Sequence, residues 1–249
     1  MDPFLVSIGV IVVLLVLLLC LALKWRGPQD TAFIAILRVV VVLYSRLLHR
    51  LRVVGPTEDP VPPTGAYIVV SNHRSGVDPL IVSILTRRRI RFLTAREYCE
   101  APVLRWFLSA LGCIPVNRTG NDLAATKTAL KALRDGEVIG IFPQGGIRDP
   151  QASLEGKSGV ALLATRTKAP VIPVFVHGSP NRKTVSAALV TPSRTVVTFG
   201  QPIRFETPDD VKPSREELEA MKEEILSAIS RLGAQLEGGQ PPSSAPRSR

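Results

Sequence analysis

Aromatic side chains make up only 5% of this 249-residue chain, and their scarcity removes one class of partner. Proteins that bind nucleic acid by stacking interleave aromatics with basic residues. No such interleaving and no zinc-finger spacing occurs here, so nucleic acid is not expected as a partner despite a net charge of +10. Cysteine is also sparse. Cys20, Cys99 and Cys113 are odd in number and share no C-x-x-C spacing, which argues against a disulfide framework or a cysteine metal cluster and fits a reducing compartment. The three histidines, His49, His73 and His177, lie far apart without an H-E-x-x-H or similar ligand set, so no metal is expected. No internal repeat is visible.

What the chain has in excess is apolar side chains, at 45%, together with basic charge. That combination suits work against an anionic surface or substrate. The length accommodates one α/β domain with an appendage.

The appendage comes first. Phe4 to Leu23 is a run of twenty uncharged residues rich in Val and Leu, the length a helix needs to cross the hydrocarbon core. A cleaved signal peptide fits less well: Met1-Asp2-Pro3 carries no positive charge, the apolar run is too long, and no small-x-small cleavage site follows. Lys24, Arg26, Arg38, Arg46, Arg50 and Arg52 lie on its C-terminal side, which predicts a single-pass anchor with the body on the cytoplasmic face of the cell's inner membrane. Thr31 to Leu51 is a second apolar stretch in which Arg38, Arg46 and Arg50 share a helical stripe with Val42. It reads as an interfacial helix, with a core helix as the alternative. Residues 1–53 are thus expected to form a two-helix membrane module, 54–65 a Pro- and Gly-rich linker, 66–236 the main domain and 237–249 a disordered tail.

Within the main domain, short apolar runs alternate with helical patterns, which predicts an α/β fold with a mixed sheet flanked by helices. Strands are expected at Ala66–Ser71, Phe92–Ala95, Cys113–Arg118, Glu137–Phe142, Ala169–Val176, Val185–Val190 and Thr195–Phe199. Helices are expected after Asp78-Pro79, over Glu97–Leu111, over Asp122–Arg134 with Asp122 or Asn121 as its cap, and over Val160–Thr167. A last one runs from the Ser214/Glu217 capping box to about Leu236. The basic cluster Arg87-Arg88-Arg89-Ile90-Arg91 reads as a contact for lipid headgroups or an anionic substrate, or as a solvated charge run.

Three loops at strand ends carry groups with chemistry. Asn72-His73-Arg74-Ser75-Gly76-Val77-Asp78-Pro79 places an imidazole and a carboxylate five residues apart. His73 can serve as a general base with Asp78 in reach, or as an ordinary loop histidine beside a helix-capping Asp followed by Pro. The short strand that begins at Cys113 delivers Asn117 and Arg118 to a loop. Pro143-Gln144-Gly145-Gly146-Ile147-Arg148 follows the next one, with two glycines that allow positive φ or free backbone N–H groups for an anion; a tight turn without a ligand would look similar.

Taken in order, these loops resemble the blocks of the glycerolipid acyltransferase family, in particular the bacterial 1-acylglycerol-3-phosphate acyltransferases. His73-x-x-x-x-Asp78 matches the H-x4-D block. Pro115-Val116-Asn117-Arg118 resembles the second block, Phe142-Pro143-Gln144-Gly145-Gly146 the F-P-E-G block, and Val171-Ile172-Pro173-Val174 the fourth. The resemblance spans roughly Tyr67 to Ile203. It implies transfer of a fatty acyl chain from acyl-CoA or acyl-carrier protein to the hydroxyl of lysophosphatidate, with no cofactor beyond the acyl donor. It further implies His73 as base and Asp78 as its orienting partner, with Asn117, Arg118, Gln144, Gly145, Gly146 and Arg148 around the acceptor. Arg118 is the first candidate for the phosphate and Arg148 the second. The family's third block usually carries Glu where this chain has Gln144, which leaves open glycerol-3-phosphate or a phosphate-free lysolipid as acceptor, or a lipid-binding protein without catalysis.

Overall fold

The computed structural model describes residues 20, 22, 26–27, 31–55, 59–117, 122–146, 159–182, 184–206 and 213–238. The expected membrane span falls outside these residues apart from Cys20 and Ala22, as do Arg118, Arg148 and residues 239–249 of the expected tail, whose first residue, Glu237, is helical. Among the described residues no helix is long and apolar enough to cross a membrane.

Among the described residues seven strands form one mixed sheet: β1 (Arg52–Val54), β2 (Tyr67–Ser71), β3 (Ile90–Ala95), β4 (Ile114–Val116), β5 (Val138–Ile141), β6 (Val171–His177) and β7 (Val196–Phe199). Their order across the sheet is β1-β7-β6-β2-β5-β3-β4. β6, β2, β5, β3 and β4 run parallel. β7 pairs antiparallel with β6, and β1 pairs parallel with β7. The five parallel strands therefore deliver their C-terminal loops to one edge, the usual place for a site in an open α/β sheet. Arg52–Val54, at the end of the expected membrane module, lies within this sheet.

Both faces of the central strands are covered, which explains why β2, β5 and β6 read as nearly continuous apolar runs. On one face Ile68, Val70, Ile139 and Phe175 pack against α5 (Leu123–Arg134), α6 (Gly159–Thr167) and α8 (Arg215–Glu237), reached through Ala129, Leu163, Ile225 and Ile229. On the other, Val69, Ile172, Val174 and Val197 meet Ile81 and Val82 of α2 (Asp78–Ile84) and Ala188 of α7 (Val185–Val190). Local caps match the sequence: Asp122 accepts from Ala125 N–H, and Ser214 with Glu217 forms the capping box of α8.

Four expectations need correction. Val185–Val190 is a helix, not a strand: Thr184 caps it by accepting from Ala187 N–H, and its small residues bury Ala188 against the sheet. The helix expected over Glu97–Leu111 is two, α3 (Arg96–Glu100) and α4 (Pro102–Ala110), because Ala101 precedes a proline and takes an extended ψ of 126°. Three arginines of the basic cluster are structural, while Arg87 is exposed. Arg88 is buried and donates to the Gly65, Gly136 and Pro62 carbonyls, Arg91 pairs with Glu137, and Arg89 donates to the Ala110 carbonyl.

The last correction concerns α1 (Ala32–Leu48). Arg38 does not share an outward stripe with Arg46 and Arg50. It is 8% exposed, and its guanidinium donates to the carbonyls of Ser83, Thr86 and Arg87 at the end of α2. A cation on the last carbonyls of a helix answers both their missing partners and the helix dipole. Arg50 lies beyond the helix with φ of 43°. The face of α1 left outward is apolar instead: Phe33, Val40, Leu43 and Leu47 are exposed at helical spacing, with Trp106 of α4 edge-on to Phe33 at 5.5 Å.

The C-terminal end of α1 is bound to the sheet by a buried polar chain. His49 is fully buried. Its Nε2 lies 3.0 Å from the Tyr44 hydroxyl and its Nδ1 2.9 Å from Ser193 Oγ, which is 3.0 Å from Thr195 Oγ1. Because Tyr44 donates its own proton to the Leu189 carbonyl, it accepts from His49 Nε2–H, and Nδ1 then accepts from Ser193. Burial pushes this imidazole below its ordinary pKa.

Candidate active site

Strands β2 and β5 lie side by side, so the loop after Ser71 and the turn after Ile141 meet at the C-terminal edge of the sheet. Asn72 begins the first loop. Its Nδ2 donates to the Val176 carbonyl at 2.8 Å and its Oδ1 accepts from Val176 N–H at 2.8 Å, so a side chain continues the ladder between β2 and β6. Ser75 holds the middle, its Oγ donating to the Pro180 carbonyl at 2.7 Å.

Asp78 closes the loop from the first turn of α2, with Val77 as the N-cap residue and Pro79 following. The carboxylate is fully buried. Its Oδ2 lies 3.2 Å from His73 Nδ1 and accepts from the backbone N–H groups of Arg74 and Ser75, both at 2.7 Å. Two amides and a helix N-terminus hold a negative charge on this oxygen. The carboxylate therefore takes a proton donor from the ring, which places hydrogen on Nδ1 and leaves Nε2 as the basic nitrogen. Asp78 is thus both the knot that shapes the loop and the partner of the imidazole.

The His73 side chain is 15% exposed and lies on the ring of Phe142, with centroids 4.2 Å apart and planes at 24°. Phe142 in turn stacks on Phe92 of β3 at 5.2 Å and 12°. Room for that column is made by Gly140: a Cβ there would stand 2.4 Å from two Phe92 ring carbons. The glycine inside β5 is the sequence signal that betrays this close approach.

The turn after β5 brings Gln144 to the same loop, where its Oε1 accepts from His73 N–H at 2.7 Å. Gly145 has φ of 67°, the left-handed conformation that its place in the turn requires, and its N–H is spent on the Phe142 carbonyl. It is therefore not a free donor for an anion, as the sequence had allowed. Gly146 has open space around it.

Asn117, at the end of β4, is engaged within the protein. Its Oδ1 accepts from Arg96 Nε at 2.8 Å and its N–H donates to Asp122 Oδ2 at 2.9 Å. The Ala125 N–H on Oδ1 and the Asn117 N–H on Oδ2 keep the Asp122 carboxyl below its usual range. His73, Asp78 and Gln144 thus come together in one contact network, whereas Asn117 anchors the start of the segment that carries Arg118. Sequence reasoning missed Asn72, Ser75, Phe92, Phe142 and Gly140 as supports of the site.

The acyltransferase family model matches residues 50–177. The 1-acyl-sn-glycerol-3-phosphate acyltransferase of Bacillus subtilis (strain 168) is 25% identical over 178 residues, covering 71% of this chain and 86% of that protein. The mouse 1-acyl-sn-glycerol-3-phosphate acyltransferase alpha is 26% identical over 196 residues, covering 76% and 67%. In fold, the chain is similar to the crystal structure of the 1-acyl-sn-glycerophosphate (LPA) acyltransferase of Thermotoga maritima, with a TM-score of 0.60 at 21% identity over 83% of this chain and 84% of that one. The matched segment takes in half of the chain and runs through the imidazole–carboxylate loop and the turn that supports it: this protein belongs to the glycerolipid acyltransferase family.

Proposed function

We propose that this chain moves a fatty acyl group from an acyl thioester, acyl-CoA or acyl-carrier protein, to the free hydroxyl of lysophosphatidate, giving phosphatidate. The observation that carries the reading is the contact of His73 Nδ1 with a buried Asp78 oxygen already held by two backbone amides. An alcohol is a weak nucleophile at neutral pH, and a positioned base contributes about a hundredfold to ten-thousandfold. His73 Nε2 takes the hydroxyl proton as the acceptor oxygen attacks the thioester carbonyl. Asp78 stabilises the imidazolium, which returns the proton to the departing thiolate sulfur as the C–S bond breaks. No acyl-enzyme forms.

Arg118 and Arg148, beyond the described residues, and Gly146 are the proposed groups for the phosphate, and Asn117 orders the approach to Arg118. The apolar face of α1 and the Phe4–Leu23 segment set the enzyme on the cytoplasmic leaflet as a single-pass protein, where acceptor and product both reside. The test is acyl transfer from labelled acyl-CoA and acyl-carrier protein to lysophosphatidate, glycerol-3-phosphate and monoacylglycerol, run beside His73→Ala. Transfer to lysophosphatidate that is lost in the variant supports the reading. No transfer to any acceptor, or an equally active variant, overturns it.

A further inference from the structure

Acidic residues are missing from two long stretches of this chain: residues 31–57 and 156–205 hold no Asp or Glu. The fold brings parts of both together. The Leu48 and His49 carbonyls accept from Ser193 and Thr195 N–H, and Arg52 N–H donates to the Thr195 carbonyl, so the end of α1 and the start of β1 run beside the segment that enters β7. Arg46, Arg50, Arg52 and Arg194 are exposed along this seam, and among the described residues none of them forms an ion pair. Arg182, also exposed, joins them through its bond of 3.2 Å to Thr191 Oγ1. Two apolar side chains accompany the arginines. Leu47 is 80% exposed, and so is 75% of Val190, at the end of the α7 helix whose Leu189 carbonyl accepts from Tyr44 of α1. The exposed glutamates Glu216, Glu217, Glu219, Glu223 and Glu224 stand instead on α8, over the opposite face of the sheet. Such a separation of sign orients a protein on a charged surface.

We propose that this arginine seam binds the headgroups of acidic phospholipid, carrying into the headgroup layer the contact that the apolar face of α1 makes with a leaflet. Leu43 and Leu47 of that face run directly into the seam, which favours lipid over a soluble acidic protein as the occupant. The planar fork of arginine suits phosphate oxygens, and each cation close to an anionic surface strengthens binding about fivefold. The seam also sets a direction. Arg52 is in register with Val196, and Val196 with His177, the residue after the Val176 that Asn72 holds. The seam therefore lies on the edge that carries His73, three strand spacings or about 14 Å along the sheet from the strand that delivers it. A bilayer gripped there has the imidazole at its surface and α8 turned away. The inference rests on the placement of α1 against a leaflet, not on acyl transfer.

Arginine labelling by phenylglyoxal, read residue by residue by mass spectrometry, tests this on the full chain in nanodiscs. Discs of phosphatidylcholine are compared with discs in which part of it is replaced by phosphatidylglycerol. Labelling of the five seam arginines is expected to slow at least about threefold in the acidic discs and to recover in high salt, while the exposed Arg134 and Arg215 react as before. Arg52→Gln combined with Arg194→Gln is expected to return Arg182 toward its rate in neutral discs with the melting temperature unchanged. Equal rates in the two discs, the same slowing at Arg134 and Arg215, or full protection of Arg182 in the double variant overturns the proposal. Protection by an acidic acyl-carrier protein but not by phosphatidylglycerol overturns it in favour of a protein partner. Quenching of Trp106 by brominated acyl chains, in a Trp25→Phe background, reports the placement of α1 separately. Quenching with an unprotected seam overturns the seam alone, and no quenching removes the placement and the seam with it. Neither readout needs turnover, so failure of acyl transfer leaves both decisive.

Discussion

The Asn72 side chain takes the place of a backbone in the sheet: its amide exchanges two hydrogen bonds of 2.8 Å with the N–H and C=O of Val176. The residue before the base is thereby sewn to the end of the neighbouring strand, and the imidazole starts from a fixed point. Asn72→Asp replaces the donor by an oxygen facing the Val176 carbonyl in a fully buried place. The variant is expected to lose about 1–3 kcal/mol of stability in urea unfolding, with acyl transfer falling as well.

Asp78→Asn separates charge from shape. An amide oxygen still accepts from Arg74 and Ser75 N–H, so the loop should hold and the melting temperature should change by only a few degrees. The imidazolium formed in the reaction loses its counter-charge. Expected is a fall in kcat of about a hundredfold to ten-thousandfold with little change in KM, read from steady-state kinetics.

Gly140→Ala drives a methyl group into the Phe92 ring. With backbone on one side and a packed core on the other, the ring has to shift and carry Phe142 and the imidazole with it. The expected cost is about 1–3 kcal/mol of overpacking, measured by thermal unfolding, together with a drop in kcat although no residue that touches substrate has changed. Wild-type kinetics in this variant would show that the ring column does not set the base.

His49 makes stability depend on pH. Its folded pKa lies below the ordinary value, so the unfolded chain binds the proton more readily. The stabilising contribution is present in full above the ordinary histidine pKa and is lost as pH falls from there toward the depressed folded value. The slope is at most about 1.4 kcal/mol per pH unit for one proton. Urea unfolding at pH 7.5 and 5.5 should show the decline in the wild type. In His49→Gln, which keeps polar groups but does not titrate, that part of the decline should vanish.

The sequence disclosed what local chemistry decides. The capping box at Ser214 and Glu217, the Asp122 cap and the apolar runs of β2, β5 and β6 need no knowledge of distant residues. The pairing of His73 with Asp78 was readable because both ends of the contact fall within six residues. Val185–Val190 was not, since six apolar and small residues fit either period, and burial of Ala188 under the sheet chose the helix. Arg88, Arg89 and Arg91 misled for a related reason: most of their partners are carbonyls 21 to 48 residues away, and carbonyls leave no trace in composition. Gly140 was visible as a glycine in a strand, but the ring that requires it lies on another strand.

Arg38 also bears on any attempt to make a shorter, more soluble protein. Trimming the chain back to Arg52 looks safe on paper, because everything with chemistry lies after it. Yet the guanidinium that closes the far end of the Asp78 helix comes from α1, and the His49 chain and the Leu48 and His49 carbonyls that receive Ser193 and Thr195 would leave with it. Such a fragment keeps its imidazole and carboxylate on paper while losing the strut that holds one of them. A useful cut leaves α1 and the Ala22 that clusters with its Ala35 and Val39 in place, with solubility sought by recolouring Phe33, Val40, Leu43 and Leu47 to polar residues.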